Sequence, residues 1–364
     1  MAYAKCEVSA SGVGYIDSES EESNVEHMCA QTMVTKNTEN GTGQLKEYTL
    51  ANARHLYNIR FLQVDIARDA EFIGANYVLS NKTDGSDDDG DSIIDWGKFQ
   101  NSVTYNRLYD SKPAGAGWSV GNLPDGYNSL NTCAFPSINE LGANESITAL
   151  VAEYELKNFK LDSKSNVFYN RSKSYTDTND TPVGLVGTNN GDVSKITMTN
   201  TKVRGEECVG AIAGLNSKTG EVDMCRVQNE SVNGISSVGG LVGFNAGSIS
   251  AKAENITIAP NVNGTYYVGG IVGYNDTDAT ITDYKINKGT ITGKAENSCF
   301  VGGFVGLNSS IKLLQGPDKK AIDIVSSPLK VSGAYYVGGC IGGNILNTHG
   351  YNNSTDKCRL EQEK

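Results

Sequence analysis

The densest cluster of carboxylates in the sequence is the run Asp84-Gly-Ser-Asp-Asp-Asp-Gly-Asp91. Calcium prefers several oxygen ligands on a tight loop that contains glycine. The candidate ligands are Asp84, Asp87, Asp89 and Asp91. The run fits an EF-hand loop imperfectly: with Gly90 at the sixth position, the first and twelfth positions are Gly85 and Trp96 instead of Asp and Glu. The sequence therefore favours a solvated acidic loop over a calcium site.

No convincing catalytic constellation accompanies this cluster. The three histidines, His27, His55 and His349, are isolated from one another. None of them belongs to the His-Glu-x-x-His motif that holds zinc in metalloproteases. We therefore predict no catalytic residues and no cofactor, apart from the candidate calcium.

One motif recurs six times in the second half of the chain. Val268-Gly-Gly-Ile-Val-Gly-Tyr-Asn275 is a complete copy. The last glycine of each copy stands at 187, 214, 243, 273, 306 and 342, so the steps are 27, 29, 30, 33 and 36 residues. Repeats of this length are typical of stacked architectures, whereas β-propeller blades need about 40 to 45 residues. We therefore predict an all-β fold, a parallel β-helix.

Each repeat contains three apolar segments, which we interpret as three short strands per coil. In one repeat they are 268–272, 280–286 and 290–292. Glycines and the closing asparagine are expected at corners, where a positive φ is needed. The closing asparagines can also stack their amides from coil to coil. Their positions are 189, 216, 245, 275, 308 and 344.

Four regions follow from this pattern. Residues 1–45 form an irregular arm, and residues 46–181 form a capping region with one helix and the first strands and loops. Residues 182–346 hold the six repeats, and residues 347–364 are a tail. The helix is predicted over 48–63, where apolar residues recur at helical spacing, with Thr49 as its N-cap. It is the expected N-terminal cap of the solenoid.

Aromatic residues precede the repeats at matching offsets. Tyr267, Phe300 and Tyr336 lie at the same coil position and are expected to form a stripe. An exposed stripe could stack on sugars or anchor a protein partner. A buried stripe would be a core stack, and the sequence favours the buried arrangement.

Charged residues in the repeats allow an alternative, a polysaccharide lyase or glycosidase, because parallel β-helices host both. Such an enzyme needs two or three carboxylates, or a carboxylate with a cation, on one face of neighbouring coils. The candidates are Asp192, Glu221, Asp223, Asp283 and Arg226. Their coil positions do not coincide cleanly, although Asp223 and Asp283 could face the same way. The sequence favours a solvated charged surface.

Composition limits which partners the chain can bind and where it can be located. The 364 residues carry a net charge of −11, which argues against nucleic acid or an anionic membrane as a partner. No apolar run is long enough to span a bilayer, and residues 1–6 do not begin a signal peptide. These features fit a cytoplasmic protein or an excised piece of a larger exported protein. Eight cysteines allow four disulfides, and Cys340 is expected to be a small buried apolar residue.

The motif Val-Gly-Gly-x-Val-Gly-x-Asn, followed by Gly247-Ser-Ile-Ser250 or Gly191-Asp-Val-Ser194, resembles the GLUG repeat of bacterial surface proteins. The resemblance covers about residues 183–344. It implies a right-handed parallel β-helix from a large exported protein, such as a filamentous-haemagglutinin-like adhesin or the non-catalytic part of an immunoglobulin-A-protease-type metallopeptidase.

The favoured function is therefore a non-catalytic structural or adhesive module of a secreted or cell-surface bacterial protein. It would bind a protein or glycan ligand on a host or neighbouring cell, or act as a spacer. The expected location is extracellular or at the cell surface, without membrane insertion. The alternative is the carbohydrate-active β-helix enzyme described above.

Overall fold

The computed structural model describes residues 47–50, 56, 59, 75–79, 93–95, 135, 137–149, 154–162, 182–252, 256–310, 323–324 and 329–345. The named strands in these residues are two to five residues long. All the strand pairs among them are parallel. The described chain is thus a parallel β-solenoid, as the repeats predict.

The strands follow one another in short steps. Upstream of the repeats are β1 (Glu47–Leu50), β2 (Asn76–Leu79), β3 (Ile93–Asp95), β4 (Ile138–Leu141), β5 (Ser146–Ala149), β6 (Tyr154–Lys157) and β7 (Lys160–Asp162). The first repeats form β8 (Val186–Asn189), β9 (Asp192–Ser194), β10 (Ile196–Thr199), β11 (Lys202–Arg204), β12 (Glu207–Val209), β13 (Ala213–Asn216), β14 (Glu221–Asp223), β15 (Arg226–Gln228), β16 (Ser231–Asn233) and β17 (Ser236–Gly239). The middle repeats form β18 (Val242–Asn245), β19 (Ser248–Ser250), β20 (Thr257–Ile258), β21 (Asn261–Gly264), β22 (Tyr266–Gly269), β23 (Val272–Asn275), β24 (Thr280–Thr282), β25 (Lys285–Ile286), β26 (Gly289–Gly293) and β27 (Cys299–Gly302). The last are β28 (Val305–Asn308), β29 (Asp323–Ile324), β30 (Leu329–Ser332), β31 (Tyr335–Gly338) and β32 (Ile341–Asn344).

Six stacks of strands run along the solenoid. Sheet A is β1-β2-β5-β9-β14-β19-β24, sheet B is β3-β6-β10-β15, and sheet C is β7-β11-β16-β21-β26-β30. Sheet D is β4-β8-β13-β18-β23-β28-β32, sheet E is β12-β17-β22-β27-β31, and sheet F is β20-β25-β29. Sheet F continues the side that sheet B begins, because Gln228 of β15 bridges to Ala259 next to β20. Sheets A and B extend upstream of the six repeats, so residues 47–162 already supply strands to the same stacks.

A complete coil contains five strands, in the order D, A, B or F, C and E. The predicted number of three was therefore wrong. The segment 268–275 is divided between β22 and β23 by a bend at Gly270 and Ile271. The segment 280–286 is divided in the same way by Asp283 and Tyr284, between β24 and β25.

The core consists of columns of branched apolar side chains, one residue per coil. Alternation of apolar and polar residues directs one face of each strand inward, which suits β-branched residues. Sheet A contributes the fully buried Val193, Val222 and Ile249, sheet C contributes Val232, Val262 and Ile291, and sheet E contributes Val209, Val238, Val268 and Val301. Each buried valine or isoleucine stabilises the fold by roughly 1.5 to 3 kcal/mol.

The glycines of the motif are explained by a close approach between sheets D and E. A Cβ on Gly273 would overlap the backbone nitrogen of Val238, and a Cβ on Gly306 would overlap that of Val268. Gly243 has the same relation to Val209 one coil earlier. Any side chain at this position would push the two sheets apart, so the close approach requires glycine.

The prediction that glycines and closing asparagines supply positive φ at the corners was wrong. Motif glycines such as Gly243, Gly273 and Gly306 do not have a positive φ, and the closing asparagines are not among the left-handed residues. Other residues take the left-handed conformation and form columns of their own. One column lies within the strands of sheet E and consists of Cys208, Ser237, Tyr267, Phe300 and Tyr336. A second follows the strands of sheet A and consists of Lys195, Met224, Lys252 and Asp283. A third lies between sheets B and C and consists of Asn158, Asn200 and Asn229.

The predicted asparagine ladder is confirmed. Each Nδ2 donates to the Oδ1 of the next coil, at 2.8 Å for the first three steps, 3.0 Å for the fourth and 2.9 Å for the fifth. The series runs through Asn189, Asn216, Asn245, Asn275, Asn308 and Asn344. The first five asparagines are buried. Their amides also form hydrogen bonds with backbone groups: for example, the backbone N of Gly247 donates to the Oδ1 of Asn245 at 3.2 Å. The ladder thus satisfies buried polar groups and ties each coil to the next.

The helix predicted over 48–63 is wrong at its start. Glu47–Leu50 form β1, which pairs in register with β2. Thr49 is therefore within a strand and is not an N-cap. Leu56 and Ile59, the two described residues of the remaining segment, are both helical and fully buried. The N-terminal cap itself lies outside the described residues.

Replacing Asn245 with alanine tests the ladder. Asn245 bonds to both Asn216 and Asn275, so its loss removes one acceptor from the Nδ2 of Asn216, the acceptor of the backbone N of Gly247 and the donor to the Oδ1 of Asn275. We expect a loss of about 2 to 4 kcal/mol in unfolding free energy, since each unsatisfied buried group costs about 1 to 3 kcal/mol. Urea denaturation measures this change.

Asn344→Ala is the matched control, because Asn344 ends the described ladder and is exposed. It should cost clearly less than Asn245→Ala. Equal losses in the two variants would contradict a stabilising role of the buried ladder.

Candidate functional site: an uncharged aromatic face

The three aromatic residues predicted to form a stripe lie in one column of sheet E. Tyr266 is the Cα partner of Cys299, which is the partner of Tyr335, and the residue after each of these is Tyr267, Phe300 or Tyr336. Tyr267 and Phe300 are half-buried, and Tyr336 is 66% exposed. The favoured interpretation as a buried core stack was therefore wrong, and the column lies on the outside of the solenoid.

The rings of this column stack on one another. The centroids of Tyr267 and Phe300 are 5.6 Å apart with 26° between the planes, and those of Phe300 and Tyr336 are 4.8 Å apart with 7° between the planes. These spacings are close to the distance between neighbouring strands, about 4.8 Å. The register of the coils thus holds the rings face to face.

A second aromatic column lies on sheet D. Phe244 and Tyr274 are Cα partners, and their centroids are 5.0 Å apart at 11°. The ring of Tyr274 also meets Tyr267 edge to face at 5.8 Å, so the two columns form one surface. The Tyr274 hydroxyl is fixed by a hydrogen bond of 3.0 Å with the Ser309 hydroxyl.

We call this surface the aromatic face and define it by Phe244, Tyr266, Tyr267, Tyr274, Phe300, Tyr335 and Tyr336. None of the strands that form it contains a charged residue: β17, β18, β22, β23, β27, β28, β31 and β32. Hydrogen-bonding groups are present, since the Tyr266 hydroxyl accepts a bond of 2.6 Å from Asn297 Nδ2. The face combines rigid rings with amide and hydroxyl groups.

Stacking determines what these rings can offer a ligand. Inside a column, each ring covers the face of the next, so the solvent meets mainly ring edges and tyrosine hydroxyls. An uncovered ring face, which sugar stacking needs, is available at Tyr336, the last described ring of its column. The aromatic face therefore suits a broad contact with a partner surface better than a series of sugar subsites.

Comparison with protein-family models, curated proteins and solved structures finds no match to this chain. The aromatic face is thus assigned from its geometry, without support from a relative.

The structure brings together three of the carboxylates considered for an enzyme. Asp192 of β9 is the Cα partner of Glu221 in β14, and Asp223 follows two residues later on the same strand. The Lys252 ammonium pairs with Oδ2 of Asp223, while Oδ1 of Asp223 and Oδ1 of Asp192 are buried without a partner in the described part of the chain. Three carboxylates with one cation leave this patch negative.

Burial and the neighbouring carboxylates Asp223 and Glu221 raise the pKa of Asp192 above its usual value. The hydrogen bond to Asp223, together with its charge, raises the pKa of Lys252. The Asp223 side chain is only 4% exposed, whereas that of Lys252 is 62% exposed. A ligand could reach Asp223 only if Lys252 moved.

The other two charged candidates do not join this patch. Asp283 stands at a left-handed corner after β24, whereas Asp223 lies within β14, so the two do not occupy equivalent coil positions. Arg226 belongs to β15 of sheet B. The expectation that Asp223 and Asp283 could face the same way was therefore wrong.

The four described cysteines are thiols: Cys208, Cys225, Cys299 and Cys340. Cys340 is buried, as predicted for a small apolar residue. Burial raises the pKa of Cys225 to about 12 and that of Cys208 to about 11, so both are protonated at neutral pH and poor nucleophiles.

The predicted acidic calcium loop with Asp84, Asp87, Asp89 and Asp91 lies outside the described residues. So does Gly117-Trp-Ser-Val-Gly121, which matches the Gly-x-Ser-x-Gly pattern of hydrolases and which motif reasoning missed. Within the described ranges no cluster of metal-binding side chains occurs, and no helix there is long and apolar enough to cross a bilayer.

A buried carboxyl group, Glu230, was also missed by sequence reasoning. It precedes β16, is 1% exposed, and accepts a hydrogen bond of 3.0 Å from Asn261 N through Oε1. Its Oε2 is buried without a partner in the described residues, as is the Oγ1 of Thr201, the equivalent residue before β11. Burial raises the pKa of Glu230 to about 7.

Stability should therefore depend on pH through Glu230. The folded-state pKa, about 7, is above the usual 4.5, so the stabilisation is present at low pH and is lost as pH rises through about 7. We expect the wild type to lose up to about 3 kcal/mol between about pH 4 and about pH 8, at 1.36 kcal/mol per unit. Urea denaturation across this range measures it.

Glu230→Gln should remove most of this loss, because glutamine does not titrate. The exposed Glu296→Gln is the control and should keep the wild-type profile. If Glu230→Gln showed the same pH dependence as the wild type, another group would be responsible.

Proposed function

We propose that this chain is a non-catalytic binding module of a secreted or cell-surface bacterial protein. In this proposal the aromatic face holds a protein or glycan ligand on a host or neighbouring cell, and the solenoid is its rigid support. The resemblance of the repeats to the GLUG repeat supports the location at the cell surface.

The observation that carries the proposal is an exposed aromatic surface without charge. The centres of protein interfaces are enriched in tyrosine and other aromatic residues and depleted of charged residues. The aromatic face has this composition in a chain with a net charge of −11. Tyrosine rings that are already stacked lose little conformational freedom on binding, which favours affinity.

Replacing Tyr336 tests the proposal most directly, since its ring is 66% exposed. A glycan and host-protein array probed with the whole chain should identify a ligand. Tyr336→Ala should weaken binding about thirtyfold, the effect of an interface hot spot of about 2 kcal/mol.

Thr290→Ala is the control, because Thr290 is exposed on sheet C, on another side of the coil. Both variants should keep the wild-type thermal midpoint. A wild-type chain that binds no component of the array would leave only a spacer role. A Tyr336→Ala variant that binds as the wild type does would exclude the aromatic face as the binding surface.

A carbohydrate-active enzyme is the second candidate, and the patch of Asp192, Glu221 and Asp223 favours it. Hydrolysis of a glycosidic bond needs one carboxyl group that stays protonated and one that is ionised. Asp192 has the raised pKa that suits the protonated group. Asp223 could serve as the ionised partner if Lys252 moved aside.

This second candidate predicts that the purified chain depolymerises a polysaccharide. Asp192→Asn and Asp223→Ala should each abolish that activity, because each removes one of the two required groups. The measurement is the release of reducing ends, with Asp283→Asn as the control. Activity that survives both substitutions would exclude this patch as its origin.

A further inference from the structure

The last coil that the structure describes has an open side. Its strands β30, β31 and β32 are the final strands of sheets C, E and D in the described part of the chain. Five large apolar side chains are exposed among the described residues, and four of them lie on this coil: Tyr335, Tyr336, Val337 and Ile345. We call the side of β31 and β32 that faces away from β27 and β28 the terminal edge.

Residues of the core type line the terminal edge. Val337 is the Cα partner of Val301 in the column of buried valines on sheet E, yet it is 43% exposed. Ile341 is only half-buried, whereas its partner Val305 is fully buried. Terminal repeats of solenoids usually present a polar outer face, and open strand edges pair readily with another chain. The last described coil therefore has the residues of a coil that another strand covers.

The terminal edge also presents hydrogen-bond donors. In the preceding coil the backbone N–H of Val305 donates to Cys340 O at 3.2 Å. Ile341 occupies the same position in the last coil, and its N–H has no acceptor among the described residues. The Nδ2 of Asn344, which ends the ladder, has none there either. An acceptor one strand spacing beyond the coil would satisfy each of these donors.

One face of the Tyr336 ring is open to a further ring. The other face stacks on Phe300, with the centroids 4.8 Å apart and 7° between the planes. This distance matches the usual spacing of neighbouring strands, about 4.8 Å. A strand paired with β31 could therefore bring an aromatic ring into the same contact with Tyr336, as cross-strand neighbours do. The aromatic face thus ends at a position that a partner can extend.

The contact between two earlier coils shows which kind of partner fits all these groups. Phe300 stacks on Tyr267, and the next residue, Val301, pairs with Val268. The carbonyl four residues after Phe300 accepts the N–H of Val272 at 3.1 Å. One extended segment therefore supplies a ring, a β-branched side chain and a carbonyl at fixed spacings. A sugar could stack on a tyrosine ring, but it would not supply backbone carbonyls at the spacing of a strand.

We propose that the partner of the aromatic face is a protein that adds an extended segment to the terminal edge. In this segment an aromatic residue stacks on Tyr336, the β-branched residue that follows covers Val337, and a later carbonyl accepts the N–H of Ile341. Binding of this kind gains affinity from main-chain hydrogen bonds and specificity from the side chains. The strands β31 and β32 have no charged residue, so the segment needs no charge. The inference rests on the proposed function, because it takes the aromatic face as the binding surface and names a protein as the ligand.

A peptide with the sequence of residues 265–275 tests the inference, since it contains the ring, the β-branched residue and the glycines of the motif. Fluorescence anisotropy of the labelled peptide with the whole chain should show binding, and a scrambled peptide should not bind. In the chain the N–H of Tyr266 donates to Ile235 O at 2.7 Å. Methylation of the equivalent nitrogen in the peptide removes this donor and should weaken binding at least about tenfold, because a carbonyl of the edge then lacks its partner.

Substitutions at the terminal edge should weaken binding of the peptide. Tyr336→Ala removes the ring on which the peptide stacks, and Val337→Lys places a charge where the peptide covers an aliphatic group. Each should lower the affinity at least about tenfold, as the loss of a central interface residue does. Val337→Thr keeps the shape of the side chain and should also lower the affinity, which checks that the loss in Val337→Lys does not come from misfolding. Ile235→Lys is the control, because Ile235 is an exposed aliphatic residue of an earlier coil, and it should bind as the wild type does.

Absence of peptide binding would overturn the inference, and so would equal affinity for the methylated peptide or wild-type affinity in both Val337 variants. A ligand from the array that needs Tyr336, without binding of the peptide, would overturn only the added strand and leave the proposed function in place. If neither an array component nor the peptide binds, both are overturned. Self-association of the whole chain in analytical ultracentrifugation that Val337→Lys abolishes would show a second copy at the terminal edge and would overturn the inference as well.

Discussion

The buried asparagine ladder is the contact on which the rest of the structure depends. Each amide meets the next only if every coil returns to the same place, one strand spacing higher. Loops between the strands vary, and the repeat steps range from 27 to 36 residues. The ladder nevertheless joins Asn189 to Asn344 with every step between 2.8 and 3.0 Å. Insertions must therefore be absorbed at the outside, where they do not disturb the register.

The close approach of sheets D and E complements the ladder. Glycines such as Gly273 let two backbones touch where other parts of the coil are separated by side chains. The coil is therefore narrow where sheets D and E meet, and buried valine and isoleucine side chains fill the space between the other sheets. Because register is kept throughout, any residue type that recurs at one coil position becomes a column. The aromatic face and the carboxylate patch both arise in this way.

The sequence predicted the features that depend on fixed offsets from the motif. The ladder and the alignment of Tyr267, Phe300 and Tyr336 follow from counting residues. The exposure of that column did not follow, because the left-handed conformation at Tyr267 breaks the alternation of the strand. Tyr266 and Tyr267 consequently both lie at the surface, and Val268 turns inward. Nothing in the composition marks a tyrosine as left-handed.

The sequence named Asp192, Glu221 and Asp223 as candidates but did not predict that they meet, for a related reason. Asp192 comes three residues after Asn189, whereas Glu221 comes five residues after Asn216, so counting from the closing asparagine places them at different coil positions. The turn at Lys218 and Thr219 adds the two residues before the strand begins, and pairing restores the register. The need for glycine between sheets D and E could not be predicted from the sequence either. The overlap that excludes a side chain there involves a strand about 35 residues away in the chain. Such contacts appear only once the coils are stacked.

The direction of the ladder has an electrostatic consequence. Backbone hydrogen bonds between parallel strands point both ways along the solenoid, and their dipoles largely cancel. The asparagine amides do not cancel, because every Nδ2 donates toward the C-terminal coil. The ladder is therefore a row of aligned amide dipoles, much as peptide units are aligned in a helix. Because the amides are buried, water screens their dipoles poorly. It gives the two ends of the ladder different electrical signs, with the positive end at Asn344.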